Sequence, residues 1–327
     1  MRYLTLLFLS IFILACQPGT TVDESQQTTT STTFQADLSN GAAWSKDQLR
    51  LVPITAFADF ISNQAPVAKY SVLSEILQNE HFRISEKKPY GRFDDSGAVN
   101  TLTVQNKTEK TVLLLAGDVV QGGNQDRVIG EDRVIAARSI EDIPVFCVEH
   151  GRWMYNEDNA LNESDKKIFA FRGYYNMASN AIRKSVRRGN QGEVWENVAT
   201  ITSQQDVTSN TDAYAALDNN DEFANKRLGY QRFFEDKLEG NTNIVGFIAL
   251  SGNTIIGTDI MGHPELLNRQ FKALVNSYAT DAILINNTSE IPEQTLQSYV
   301  NNILTKVASK DAAYYKDGLL VHFEDLK

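Results

Sequence analysis

The side chains best suited to chemistry lie in two runs of the sequence. The first is Gly117-Asp118-Val119-Val120-Gln121-Gly122-Gly123-Asn124-Gln125-Asp126-Arg127. Gly122 and Gly123 free the backbone for a positive φ or a close approach, and Gln125 and Arg127 stand beside them with amide and guanidinium donors. A loop of this kind could present donors to an anionic ligand, or be a glycine hairpin whose Gln and Arg point into water. Neither the spacing nor a following helix fits a Walker or dinucleotide-binding loop.

The second run is Ile143-Pro144-Val145-Phe146-Cys147-Val148-Glu149-His150-Gly151-Arg152-Trp153. Strand alternation puts Val145, Cys147 and Glu149 on one face and Phe146, Val148 and His150 on the other. A carboxylate beside a thiol disfavours the thiolate, so Cys147 reads as a small buried residue rather than a nucleophile. Glu149 is the better general base. Arg152 next to Trp153 could hold a carboxylate or phosphate with a stacking surface alongside, or close a strand end while the indole fills the core.

Other chemistries lack support. There is no G-x-S-x-G elbow, HExxH helix or EF-hand loop. Four histidines, and one cysteine besides Cys16, argue against a metal site. The acidic pairs Asp94-Asp95 and Glu157-Asp158 are the kind common on surfaces. No cofactor is expected. A net charge of −10 argues against a nucleic acid partner. The Arg183-Lys184 and Arg187-Arg188 pairs read as the wet face of a helix.

The elements that must position these residues can be read from periodicity. Strands are expected over Leu49 to Thr55, Ala98 to Val104 and Val112 to Leu115, the last two forming a hairpin about a polar turn at Asn106. A short helix is expected from Tyr70 to Gln78. Asp118 to Gln121 and Gln125 to Ile129 make a further hairpin, and Pro144 introduces a strand from Val145 to Glu149. Ile168, Phe171, Tyr175, Ala178 and Ile182 keep a helical stripe, as do Val194, Trp195, Val198 and Ile201. A helix from Glu222 to Leu238, strands at Ile244 to Leu250 and Thr254 to Thr258, helices opening near Pro264 and Pro292, and a closing strand from Leu319 to Phe323 complete the chain. Strand-rich then helix-rich segments predict an α+β fold, its antiparallel β-rich N-terminal half packed with helices from the C-terminal half.

The N-terminus carries its own signal. Met1–Ala15 has one early charge, Arg2, then an apolar run ending at Ile13-Leu14-Ala15-Cys16, the pattern of a bacterial lipoprotein signal. The apolar run is shorter than the about 20 residues a bilayer demands, so cleavage before Cys16 and lipidation of that cysteine are expected. Residues 16–34, rich in Thr, Ser and Gln, bury too little to order themselves and read as a flexible tether. Residues 35–327 then form a single domain held at the cell envelope, its partner the membrane. Gln17 after the cysteine points to the outer membrane where the organism has one.

Several of these residues together resemble one family. Tyr70-x-x-Leu73-x-Glu75 with Leu77, Glu86, the Asn106 turn, Gly117-Asp118 with Gly122-Gly123-x-Gln125-x-Arg127, and Val145-x-Cys147-Val148-Glu149-x-Gly151-Arg152-Trp153 are similar to the ARPP-1 domain. The likeness spans roughly residues 49–326. The family takes its name from association with ADP-ribosylglycohydrolases, which implies by analogy a small anionic ligand such as ADP-ribose or a nucleotide derivative. The matched positions Glu86, Gln125, Arg127, Glu149, Arg152 and Trp153 are then the site, with Glu149 or Glu86 as base in a hydrolase of a phosphorylated or ribosylated molecule. Asp118 stands where the pattern has Glu, so a role needing the longer side chain is in doubt. The competing expectation is a non-catalytic binding module of the envelope.

Overall fold

The computed structural model describes residues 33–39, 41–87, 99–151, 170–310 and 313–327. Among them the chain runs β1 (Phe34–Ala36), β2 (Ser45–Lys46), β3 (Leu49–Ala56), α1 (Ala58–Asn63), β4 (Ser71–Val72), α2 (Leu73–Ile76), β5 (Phe82–Glu86) and β6 (Thr101–Asn106). It continues through β7 (Val112–Leu114), β8 (Asp118–Gly122), β9 (Arg127–Ile129), β10 (Arg133–Ile135), β11 (Ser139–Cys147) and β12 (Ala170–Met177). Then come α3 (Asn180–Arg187), α4 (Gln191–Gln204), α5 (Asp221–Phe234), β13 (Ile244–Ser251), β14 (Thr254–Met261), α6 (Pro264–Ile285), α7 (Glu293–Ala308), β15 (Ala313–Lys316) and β16 (Leu319–Leu326). The fold is α+β, and none of the described helices is long and apolar enough to cross a membrane.

Two β structures divide the work. The strands β11-β6-β5-β12-β8-β9 close into a barrel whose neighbours are all antiparallel. Ile84, Leu102, Val104, Val120, Ile129, Ile143, Val145 and Phe171 pack together in its interior, filling it as a small barrel is filled. The larger sheet has the order β1-β3-β13-β14-β16-β15, with β2 added to β3. Residues of β13 are buried throughout because helices cover both faces. Helix α6 lays Leu267, Phe271, Leu274 and Tyr278 against Leu51, Phe247 and Val321. Helix α7 lays Leu296, Val300 and Ile303 against Ile54, Ile248 and Phe323. Pro264 opens α6 as expected, and the ring of His263 accepts the Glu265 N–H at 3.1 Å. A short sheet β10-β7-β4 adjoins them.

Three readings of the elements need correction. β6 pairs with β5 and β11, and β7 with β10 and β4, so the expected hairpin about Asn106 does not form. The buried Asn106 amide instead donates to the carbonyls of Lys110 and Ala136, turning the chain from one sheet into the other. Pro144 lies inside β11 rather than before it. It sits where β11 changes partner from β6 to β9, and its carbonyl accepts the Gly130 N–H at 2.8 Å, a position where the missing N–H costs no ladder bond. The stripe through Phe171 and Tyr175 belongs to a strand, β12. Its register against β8 shifts between Phe171 and Gly173 and again between Tyr174 and Met177, and these bulges move apolar residues off a period of two.

Candidate functional site

The barrel brings distant residues to one end. Counting two residues along each strand from its inward-facing core residue gives Glu86 after Ile84 on β5, Gly122 after Val120 on β8 and Cys147 after Val145 on β11. On β9 the same step leads from Ile129 back to Arg127. Arg127 and Cys147 are partners across β9 and β11. The apolar interior therefore ends in a charged cap.

At the centre of that cap is Arg127, 1% exposed. Its Nη1 donates to the carbonyl of Gln125 at 2.9 Å and to Gln125 Oε1 at 3.3 Å. Its Nη2 reaches Glu86 Oε1 only at 3.5 Å, the outer limit of a hydrogen bond. Its Nε is buried with no partner among the described residues. A buried guanidinium with an idle donor and a loosely held counter-charge keeps capacity for another acceptor. Gln125 is fixed by donating to the Glu149 carbonyl at 2.9 Å. The carboxylate of Glu149 accepts the Asp126 N–H at 3.1 Å, and that of Glu86 accepts the Asn124 N–H at 3.0 Å. Both acids thus hold backbone N–H groups of the Gly122–Arg127 loop.

The glycines serve close packing inside the protein. Gly123 has φ +54°, and a Cβ there would stand 2.5 Å from the Phe171 ring and 2.8 Å from Glu86 Oε1; one on Gly122 would stand 2.8 Å from the Ala170 carbonyl. Cys147 is buried, and burial pushes its thiol up, with Arg127 opposing and Glu86 adding to the shift. It carries no thiolate at neutral pH. Asp118 lies away from the cap, accepting from Leu115 N–H, Tyr174 and Gln270. Burial raises its pKa to about 6. Arg152 and Trp153 lie outside the described residues, as do Cys16, Asp94-Asp95 and Glu157-Asp158.

A second polar cluster was not anticipated from sequence. His322 on β16 is fully buried, with Nδ1 2.8 Å from Asp132 Oδ2 and Nε2 2.9 Å from Asp259 Oδ1. Arg183 of α3 pairs with Asp259 at 2.5 Å and Glu324 at 2.8 Å, and Tyr278 of α6 donates to Asp259. Arg187 bridges Glu324 and Asp132. Arg183 is 0% exposed, so its expected place on a wet helix face is corrected. Burial lowers the basicity of His322, but its two carboxylates outweigh that and push its pKa up to about 9. Burial likewise disfavours charge on Asp132 and Asp259, yet His322 and the arginines hold both well below the usual carboxylate range. Asp259, His322 and Glu324 have ligand atoms within 4.8 Å of one another, a spacing that could suit a cation. Arg183 already supplies that positive charge, and the cluster ties α3, α6, β14, β16 and the β9–β10 connection together. Its sequence signal is a charged residue inside an apolar strand run, as in Leu320-Val321-His322-Phe323 and Thr258-Asp259-Ile260.

Comparison with known proteins finds a family. The sequence profile described as ARPP-1, the ARG and Rhodanese-Phosphatase-superfamily-associated Protein domain, matches residues 37–322. No curated protein and no solved structure matches the chain.

Proposed function

The chain belongs to the ARPP-1 family, and from that premise we propose that it is a lipid-anchored envelope protein whose barrel cap binds a small anionic ligand. The observation that carries this reading is Arg127, a buried guanidinium with Nε unpartnered among the described residues and Glu86 at 3.5 Å. The family name connects the domain with ADP-ribosylglycohydrolase, which favours ADP-ribose or a related nucleotide as the ligand, by association. Arg152 and Trp153 supply a second cation and a stacking ring in this reading. Glu149 or Glu86 is then the base of a hydrolase acting on a phosphorylated or ribosylated molecule.

One observation favours a non-catalytic module instead. Both acids already accept backbone N–H groups of the Gly122–Arg127 loop, which is how a carboxylate shapes a binding loop rather than moves a proton. A thermal-shift screen with ADP-ribose, nucleotides and sugar phosphates tests the common core of the two, since a ligand that binds only the folded chain raises its Tm by mass action. A rise with at least one phosphorylated ligand is expected. No rise with any of them refutes the anion site. Turnover of a ligand that does bind, followed by product release, then separates enzyme from binder.

A further inference from the structure

Beside the barrel cap lies a cleft of different chemistry. It occupies about 550 Å³ between His150, helix α4 and the chain that follows α4 to Asp212, within the about 300–1,000 Å³ typical of small-ligand sites. The rings of His150 and Trp195 meet edge to face in its wall, centroids 4.7 Å apart at 89°. Trp195 as a residue is only partly buried, while its indole nitrogen is itself buried and has no acceptor among the described residues. Glu196 and Asp212 are exposed in the lining, and neither forms a hydrogen bond or ion pair with another described residue. Ser203 and Thr208 add hydroxyls. Among the described residues of the lining there is neither Lys nor Arg.

That combination selects a ligand class. Two carboxylates with no Lys or Arg among the described lining residues disfavour an anion, so the occupant differs from the one assigned to Arg127. Aromatic faces take up the C–H surfaces of a pyranose, whose hydroxyls donate to carboxylates and exchange hydrogen bonds with Ser and Thr. A simple amine would engage the acids and the ring but leave the hydroxyl rim unused. We propose that this cleft is a carbohydrate-binding groove, with Trp195 as the stacking platform and Glu196 and Asp212 as hydroxyl acceptors. It stands independently of the anion site.

The test is a titration of the folded chain with two neutral saccharides, the trimer of N-acetylglucosamine and cellotriose, alongside choline as a cationic probe. Tryptophan fluorescence and calorimetry are the readouts. Saturable binding of a saccharide with a change in emission is expected. The Glu196→Ala/Asp212→Asn double variant, altered only at exposed positions, should keep its Tm and bind the saccharide about tenfold more weakly, the loss of a charge-assisted hydrogen bond. Binding of neither saccharide, binding of choline alone, or equal saccharide affinity in the double variant overturns the proposal. Because the probes carry no phosphate, this outcome is separable from failure of the anion site.

Discussion

Arg183 shows how much a single buried side chain can decide. Its removal in Arg183→Ala would strand Asp259 and Glu324 without their cation, a loss of about 3–5 kcal/mol for a broken buried pair. Urea unfolding should show the unfolding free energy falling by that amount, and a change under about 1 kcal/mol would mean that His322 and Arg187 already suffice. The pH dependence follows from the same neighbourhood. The Asn180 N–H donates to both carboxylate oxygens of Asp281, at 3.0 and 3.2 Å, yet burial raises the Asp281 pKa to about 7. A raised acid favours the fold below its unfolded pKa, and that contribution disappears as pH climbs through about 7. His322, raised to about 9, contributes fully below its unfolded pKa and ceases to contribute as pH passes 9. The lowered Asp132 and Asp259 act in the opposite sense, contributing above the ordinary carboxylate pKa and failing only in acid. Stability should therefore be greatest near pH 4 and decline from there towards 9, first as Asp118 and Asp281 ionise and then as His322 loses its proton. Asp281→Asn should lose less stability than the unmutated chain between pH 5 and 8, measured by urea midpoints; an identical decline would clear Asp281 of the effect. Residue types announced little of this, since Arg183 next to Lys184 has the look of a solvated helix face until the inward-facing Asp259 is known.

Elements were easier to foresee where a repeat ran undisturbed. Helices α4, α6 and α7 and the strands β13 and β14 stand close to where apolar spacing and proline put them, because each buries one continuous face or run. The β12 strand was misread because two bulges displace its aromatic residues, and the Asn106 hairpin because a turn signal says where a chain bends but not which strand it then meets. Alternation along β11 did group Cys147 with Val145 as a small buried residue, yet whether Arg127 faced a ligand or water stayed open in the sequence, because the closing of the barrel that buries it depends on pairings far apart in the chain. The tight meeting of β8 with β12 yields a test at this scale. Gly123→Ala adds a Cβ where Phe171 and Glu86 leave 2.5 and 2.8 Å, at a φ of +54°. It should destabilise the barrel by about 1–3 kcal/mol through overpacking and left-handed strain. Hydrogen exchange should report faster opening of β8 and β12 than of β13; equal exchange in variant and parent would show that the ring shifts aside without cost.

At the scale of the whole molecule, the sequence foretold the class of fold, while Glu86, Gln125, Arg127 and Glu149, grouped in the sequence only through the family resemblance, are brought to one end of the barrel by pairings distant in the chain. The proposed tether adds a spatial prediction. With the lipid of Cys16 as the proposed attachment, Cys16→Ala should move the protein from the membrane fraction to the soluble one. Fractionation by detergent partitioning checks it, and unchanged membrane association would point to another attachment. The binding role of the cap depends most on Arg127. Calorimetric titration of an anionic ligand that raises the Tm, carried out on the unmutated chain and on Arg127→Ala and Arg127→Lys, probes that dependence directly. Binding should vanish in Arg127→Ala and survive, weakened, in Arg127→Lys, which keeps the charge but not the fork of donors. Undiminished affinity in a folded Arg127→Ala chain would place the anion elsewhere and reduce the guanidinium to a plug in the end of the barrel.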